Sequence, residues 1–224
     1  MKKVVLTIAL FSTFVISAKA TTVYAEIADD THGTSIAKVG LEKQDETDEP
    51  TDPIDPPDVP GTYIPIGNTG ALRIDYISNI DFGTQKIASE TKNYTAGNSD
   101  EFVETQISDL RGNGAGWNLQ VSYDSEKAGF YTENGVALAG AELSLPAGTA
   151  KTVTENQSPA AETATVTVNK NAQNIMFAAA TTGLGTWEDQ MSAEAVSLKV
   201  PSGNLAGTYS ATLVWTFNRR TNLI

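Results

Sequence analysis

Apolar and polar side chains alternate along most of residues 61–224, which is the pattern of strands that turn one face to a core. The clearest alternation lies in segments 72–76, 117–123, 163–169, 195–200 and 208–217. Turn-forming clusters separate the segments, at 112–114, 133–135, 146–148 and 201–204. No sustained helical stripe follows residue 25. The pattern predicts an all-β fold of about eight to ten short strands, an antiparallel β-sandwich (Ig-like or related), with a barrel as the alternative.

The first 25 residues have the features of a secretory signal peptide. Two lysines precede an uncharged apolar run from Val4 to Ser17, which is too short to span a bilayer comfortably. Small-residue cleavage signals end at Ala20 and at Ala25, and we favour the second. We therefore expect an exported protein without a transmembrane segment after processing. The alternative is an uncleaved membrane anchor.

Residues 26–60 differ in composition from the rest of the chain. They hold 11 acids against two lysines, no aromatic residue, and five of the nine prolines. With so little apolar surface to offset the entropy of ordering, we predict a disordered, self-repelling spacer with polyproline II character. A proline-rich recognition motif is the alternative. Residues 61–224 then form one domain that is long enough to bury a full core.

Composition removes most kinds of chemistry. The chain has 15 Lys and Arg, 27 Asp and Glu, one His and no Cys, for a formal net charge of -12. Thiolate nucleophiles, disulfides and thiolate metal sites are excluded, and nucleic-acid binding is not expected. The single His32 lies in the polar N-terminal stretch. We expect no cofactor, no metal and no enzyme activity, although a hydrolase that uses paired carboxylates remains an alternative.

Three local motifs favour structural roles over chemical ones. Gly112–Gly116 lacks the Gly-Lys-Ser/Thr of a phosphate loop and precedes a strand, which predicts a turn. The acids at Asp124 and Glu126, and at Glu188 and Asp189, could ligate Ca²⁺, but without EF-hand spacing they are predicted to be solvated surface acids.

Two aromatic strands are the most informative features of residues 61–224. Period two places Trp117 and Leu119 on one face of the first strand, and Tyr209, Leu213 and Trp215 on one face of the last. One interpretation is that both strands are central and that their rings fill the core. The other interpretation is that some rings stay exposed and stack on sugar rings or on a partner protein. We favour the core.

These two strands resemble the paired motifs of the WxL-domain surface proteins of Gram-positive bacteria. The first motif is Trp117-Asn118-Leu119, and the second follows the pattern Tyr-x-x-x-Leu-x-Trp, with Phe217 where the family usually has leucine. The segments Ile80–Gly83 and Gln106–Gly112 are similar to family sequence as well. The resemblance covers 61–224, and a signal peptide followed by an acidic spacer fits the layout of small WxL proteins.

The resemblance implies a non-enzymatic protein that attaches non-covalently to the cell wall, with peptidoglycan or another wall glycan as its ligand. It also implies companion WxL-interacting surface proteins and, for some members, host matrix proteins, so an interaction or adhesin subunit is the alternative function. The residues that it ties to attachment are Trp117, Leu119, Tyr209, Leu213 and Trp215. We add Trp187 as a loop aromatic, and we predict a structural ion pair between Asp109 and Arg111.

Overall fold

The computed structural model describes residues 36–45, 47, 50–55, 68–97 and 100–218. Two compact units divide the chain at Leu41 and Glu42. In the first unit, residues 36–41 are exposed and have no regular secondary structure. The predicted signal peptide and its cleavage sites lie outside the described residues.

Twelve β-strands and no helix make up the regular structure of the described residues, so no helix there is long and apolar enough to cross a membrane. The strands are β1 (Leu72–Ile77), β2 (Lys92–Thr95), β3 (Phe102–Asp109), β4 (Trp117–Tyr123), β5 (Glu142–Leu145), β6 (Thr149–Thr152), β7 (Glu162–Thr163), β8 (Val166–Thr167), β9 (Gln173–Ala178), β10 (Gly185–Ser192), β11 (Ser197–Val200) and β12 (Leu213–Asn218).

The strands form three antiparallel sheets of four strands each, which pack like a sandwich. Sheet A has the order β1-β3-β10-β6, sheet B the order β2-β11-β5-β8, and sheet C the order β12-β4-β9-β7. The predicted all-β sandwich is therefore confirmed. The prediction of eight to ten strands was too low, partly because segment 163–169 is not one strand. Its first part pairs with β9 in sheet C and its second part with β5 in sheet B.

Period-two burial carries the core. In β4, Trp117, Leu119 and Val121 on one face are fully buried, whereas Gln120 and Ser122 on the opposite face are only partly buried. Their core neighbours from the other sheets are Ile74, Val103, Ile107, Leu143, Leu145, Met191 and Leu198. Burial of large side chains of this kind from all three sheets supplies the main driving force for folding a chain without disulfides.

Three strands of sheet A, β1, β3 and β10, are buried on both faces, which the alternating pattern did not predict. Their second face is polar and includes Arg73, Asp75 and Gln106, each 3 % exposed or less. Residues Thr51–Asp55 of the predicted spacer hydrogen-bond to this face. The spacer as a whole stays a prediction, but its described residues from Glu42 onward belong to the same compact unit as the sheets.

The prediction that Glu188 and Asp189 are solvated surface acids is wrong. Both lie in β10, between β3 and β6, and are 0 % and 1 % exposed. They point to opposite faces because successive residues of a strand do so. Glu188 lies on the polar face, and Asp189 lies on the core face with Trp187 and Met191. Burial raises the pKa of Asp189 to about 7.

We predict that Asp189→Asn stabilises the protein more at pH 8 than at pH 5. The raised pKa means that the folded protein keeps a proton that the unfolded chain loses, so this site's contribution to stability falls as the pH rises from about 4 to about 7. The amide removes that penalty, which is on the order of 4 kcal/mol at pH 8 and about 2 kcal/mol at pH 5. Urea unfolding at both pH values measures it, and equal effects at the two would contradict the assignment.

Candidate functional site

A braced turn leads into β4. Gly112, Gly114 and Gly116 all have positive φ, which is the left-handed conformation that favours glycine. The Arg111 guanidinium pairs with Asp109 at 2.8 Å and donates a second hydrogen bond to the Gly116 carbonyl. The predicted ion pair is therefore confirmed, and so is the prediction that Gly112–Gly116 is a turn. Together they fix the direction in which β4 enters the core.

Trp117, the first residue of β4, is fully enclosed. Its indole Nε1 donates to the Gly183 carbonyl at 3.0 Å, and its ring meets Phe217 edge to face with centroids 6.4 Å apart. Gly183 has φ +63°, and a Cβ there would lie 2.5 Å from the Cβ of Ala178. Since Leu119 is also 0 % exposed, neither residue of the first motif presents a surface to a ligand.

Trp187 lies in β10 and not in a loop, which corrects the reason for choosing it. Its side chain is 4 % exposed, and its Nε1 donates to the Leu184 carbonyl at 2.9 Å. The alternation expected of a strand was hard to recognise because the two residues after Trp187, Glu188 and Asp189, have ionisable side chains and are nevertheless buried. Trp187 therefore belongs to the core.

The second motif has a different setting. Its strand β12 lies at the edge of sheet C and pairs with β4, so it is not a central strand. Tyr209, Leu213 and Trp215 are half-buried, and Leu213 and Trp215 pack against the core. Tyr209 lies before β12, which begins at Leu213. Its neighbour Ser210 pairs with Tyr131 in an isolated bridge.

All three of these residues line a groove of about 1040 Å³. One wall is residues 77–88, which connect β1 to β2, and the other is residues 200–213, which lead into β12. Five half-buried aromatic side chains line the groove: Phe82, Tyr94, Phe130, Tyr209 and Trp215. The structure thus brings half of the predicted site residues together and places Trp117, Leu119 and Trp187 away from the groove.

Hydrogen bonds fix the wall formed by residues 200–213. The Asn204 side chain accepts from the Ala139 amide at 2.7 Å and donates to the carbonyls of Ala139 and Pro201. The Tyr209 hydroxyl donates to the Leu205 carbonyl at 2.9 Å, which holds that ring in place. The aromatic surface is therefore largely formed before any ligand arrives, which limits the entropy lost on binding.

The groove combines apolar area with uncharged polar groups. Ile87 and Leu205, on opposite walls, are 66 % and 69 % exposed. Asn, Gln, Ser and Thr side chains lie along both walls, together with only a few charged residues, among them Asp81, Lys86 and Glu90. The described residues contain no His, Cys, Asp and Glu cluster that fits a metal ion. The arrangement suits an extended, largely uncharged ligand that offers both apolar faces and hydroxyl or amide groups.

Phe82, Tyr94 and Phe130 were not predicted as site residues. Phe82 belongs to the Ile80–Gly83 segment, which does resemble WxL sequence, so a signal for one wall was present. Tyr94 comes from β2 and Phe130 from the loop after β4. Their approach to Tyr209 depends on contacts between distant parts of the chain, which a single sequence does not display.

Comparison with protein families identifies a family to which the chain is similar over most of its length. The family model described as WxL domain, surface cell wall-binding, matches residues 28–220, nearly the whole chain. The match spans both motif strands and both walls of the groove, and it begins within the predicted acidic spacer. Comparison with curated proteins and with solved structures finds no match.

We predict that Trp117→Ala destabilises the protein instead of only removing a ligand contact. Loss of a fully buried indole and its hydrogen bond costs about 3–5 kcal/mol. Urea unfolding and near-UV circular dichroism measure the effect. Lost wall binding with an unchanged unfolding free energy would contradict a core role for this residue.

Proposed function

The chain belongs to the WxL family of surface cell wall-binding domains, and we propose that it attaches non-covalently to peptidoglycan through the aromatic groove. The observation that carries the proposal is the position of Tyr209, Leu213 and Trp215, which resemble the second WxL motif and line the groove. The protein would act as an exported, non-enzymatic surface module, with no cofactor and no metal.

Glycan chemistry fits this groove. The C–H faces of sugar rings are apolar and stack on aromatic side chains, which Phe82, Tyr94 and Tyr209 offer in half-buried positions. Sugar hydroxyls and acetamido groups need hydrogen-bond partners, which the Asn, Ser and Thr side chains of both walls supply.

The first motif would serve the same function indirectly. Trp117 contacts Phe217 of β12, and Leu119 pairs with Phe217 across the two strands. Rigid support of β12 fixes the placement of Trp215 on the groove side. Trp117, Leu119 and Trp187 are thus proposed as supporting residues that a substitution would affect through the fold.

A second candidate function is docking of a companion surface protein or a host matrix protein. One observation favours it: among the described strands, β12 pairs only with β4, so its other edge has no strand partner. An extended segment of another protein could add to that edge through backbone hydrogen bonds. The groove and the edge both involve β12, so the two candidates require separate tests.

We predict that Tyr209→Ala and Tyr94→Ala weaken binding to purified, protein-stripped cell walls about fivefold to tenfold each, since each removes one stacking surface. Phe177→Ala is the matched control, because Phe177 is equally half-buried but does not line the groove. A pull-down at graded wall concentrations gives the affinities, and circular dichroism confirms the fold of each variant.

The same assay separates the two candidates. If stripped walls bind wild-type protein and the Tyr209→Ala variant loses affinity, the glycan groove is supported. Binding only to walls that retain their surface proteins, with the groove variants unaffected, would reject the groove in favour of the protein-docking edge.

We predict that attachment survives about 1 M NaCl, where the Debye length is ~3 Å. The chain carries a formal net charge of -12, and wall phosphate polymers are also anionic, so charge attraction cannot hold it there. Stacking and neutral hydrogen bonds depend little on salt. Release of the protein from stripped walls by a salt wash would show that ionic contacts, and not the groove's chemistry, dominate.

A further inference from the structure

The segment Thr51–Asp55 is held on the polar face of sheet A by its backbone. The Thr51 amide donates to the Asp75 carboxylate at 3.0 Å, and the Ile54 amide donates to the Gln106 side-chain oxygen at 2.7 Å. Between them, Pro53 has no amide hydrogen to satisfy. Two backbone donors of the segment thus bond to side-chain acceptors that the sheet presents.

Gln106 both accepts hydrogen bonds from the segment and donates to it. While its oxygen accepts from Ile54, its Nε2 donates to the carbonyls of Thr51 at 3.2 Å and Asp52 at 3.1 Å. The Arg73 guanidinium, paired with Asp75, also donates to the Thr51 hydroxyl at 3.0 Å. Buried side chains of sheet A therefore bind an extended peptide much as a peptide-recognition site does.

The end of the segment contacts a cluster of acids. Gln190 Nε2 lies 3.0 Å from an Asp55 oxygen, 3.2 Å from Glu104 and 3.4 Å from Glu188. An amide nitrogen has two hydrogens, so it cannot fully satisfy three carboxylates. The second oxygen of Glu188 is buried and has no hydrogen-bond partner. Ionisation of all three acids would therefore leave buried negative charge with too few donors.

Few cations face this cluster. Lys151 of β6 pairs across the strands with Glu188 and favours the ionised form of Glu188. The negative charge of Asp100 opposes ionisation of Glu104. The Arg73 charge on β1 is already matched by Asp75. Tyr76, also on β1, is neutral near pH 7, because its pKa is raised from 10, mainly by burial.

Protonation of Glu104 and Glu188 compensates for the shortage of cations near the cluster. Burial, followed by the negative charge of Asp55, raises the pKa of Glu104 to about 7. Burial, followed by the charges of Glu104 and Asp55, raises that of Glu188 to about 8. Release of the segment removes Asp55 and admits water, so the two carboxyls then ionise more easily. The bound state holds more protons, and its stability falls as the pH rises from about 5 to about 8.

We propose that the polar face of sheet A is a peptide-binding site for an extended acidic Thr-Asp-Pro-Ile-Asp segment, filled by the chain's own residues 51–55 as a latch that loosens above neutral pH. At acidic pH the latch holds the acidic, proline-rich segment against the domain. At alkaline pH the segment leaves the face and lengthens the connection N-terminal to β1. This inference is independent of the glycan groove, since the groove lining includes neither the segment nor the residues of the face that bind it.

Amide hydrogen exchange of Ile54 in the full chain tests the latch, because this amide is bonded only when the segment is bound. Protection factors correct for the intrinsic pH dependence of exchange. We expect the Ile54 protection factor to fall about tenfold or more between pH 6 and pH 9, since the two carboxyls titrate in that range. In the Asp189→Asn background, which removes the pH-dependent loss of global stability at that site, protection of Val121 in β4 should stay constant, and this separates local release from global unfolding.

Two variants assign the effect to the acid cluster. The double variant Glu104→Gln/Glu188→Gln keeps the shape and hydrogen-bonding capacity but cannot ionise, so Ile54 protection should no longer depend on pH. Asp189→Asn is the matched control, because it removes a buried titratable group on the other face of β10 and should leave the pH dependence of Ile54 unchanged.

Three results would overturn the proposal. An Ile54 amide without protection at pH 6 would mean that the segment does not bind the face. An equal fall in protection in the double variant would mean that other groups drive release. Protection that rises with protein concentration would mean that the segment comes from a second copy and not from the same chain.

Discussion

The arrangement of the described residues N-terminal to β1 depends on the buried polar face that β1, β3 and β10 of sheet A share. The sheet's apolar face packs into the core through residues such as Ile74 and Ile107. Its polar face buries the Arg73–Asp75 ion pair, which is 2.8 Å long and almost fully enclosed. A buried ion pair is tolerated only when its remaining donors and acceptors are satisfied. Gly70, Gln44 and Thr51 accept from the Arg73 guanidinium, so residues N-terminal to β1 complete the sheet.

This requirement explains why the compact unit begins at Glu42. By composition alone, residues 42–55 look like part of an acidic linker, with no aromatic side chain and little apolar surface. Thr51–Ile54 are held in place because sheet A supplies preformed acceptors and donors, above all Gln106 and Asp75. The ordering energy thus comes from the partner surface, as for disordered segments that fold on binding. The composition of one segment does not show that another part of the chain, here sheet A, binds it.

The same logic separates what the sequence could predict from what it could not. Strand β4 was predictable, because Trp117, Leu119 and Val121 alternate with polar residues and one face is apolar. The all-β sandwich follows from several such segments. Strand β10 was not recognised, because period two assumes that a polar side chain faces water. In β10 the polar residues Glu188 and Gln190 are buried under another part of the chain, so the alternation no longer reports exposure.

Prediction of the candidate site failed in part for a related reason. The two motifs look alike in sequence, each an aromatic strand, but β4 is central in sheet C and β12 is at its edge. Strand order decides that Trp117 is enclosed while Trp215 keeps one side on the groove. Strand order is set by long-range pairing, and the groove also needs Phe82 and Tyr94 from another part of the chain. Residue types could identify the two motifs. Only the fold could show that the first motif supports β12 and that the second motif lines the groove.

The distribution of charge follows from this division. The groove is lined mainly by apolar and uncharged polar residues, whereas the acids of the polar face are grouped around Gln190 away from it. Charged groups inside the groove would have to be desolvated by each incoming ligand, at a cost that stacking offsets poorly. Acids on the polar face meet only the chain's own segment, and a proton can neutralise them there. Acidic residues that would weaken binding of a glycan in the groove are therefore tolerated in a contact within the protein. The groove and the polar face can respond to pH and to salt independently.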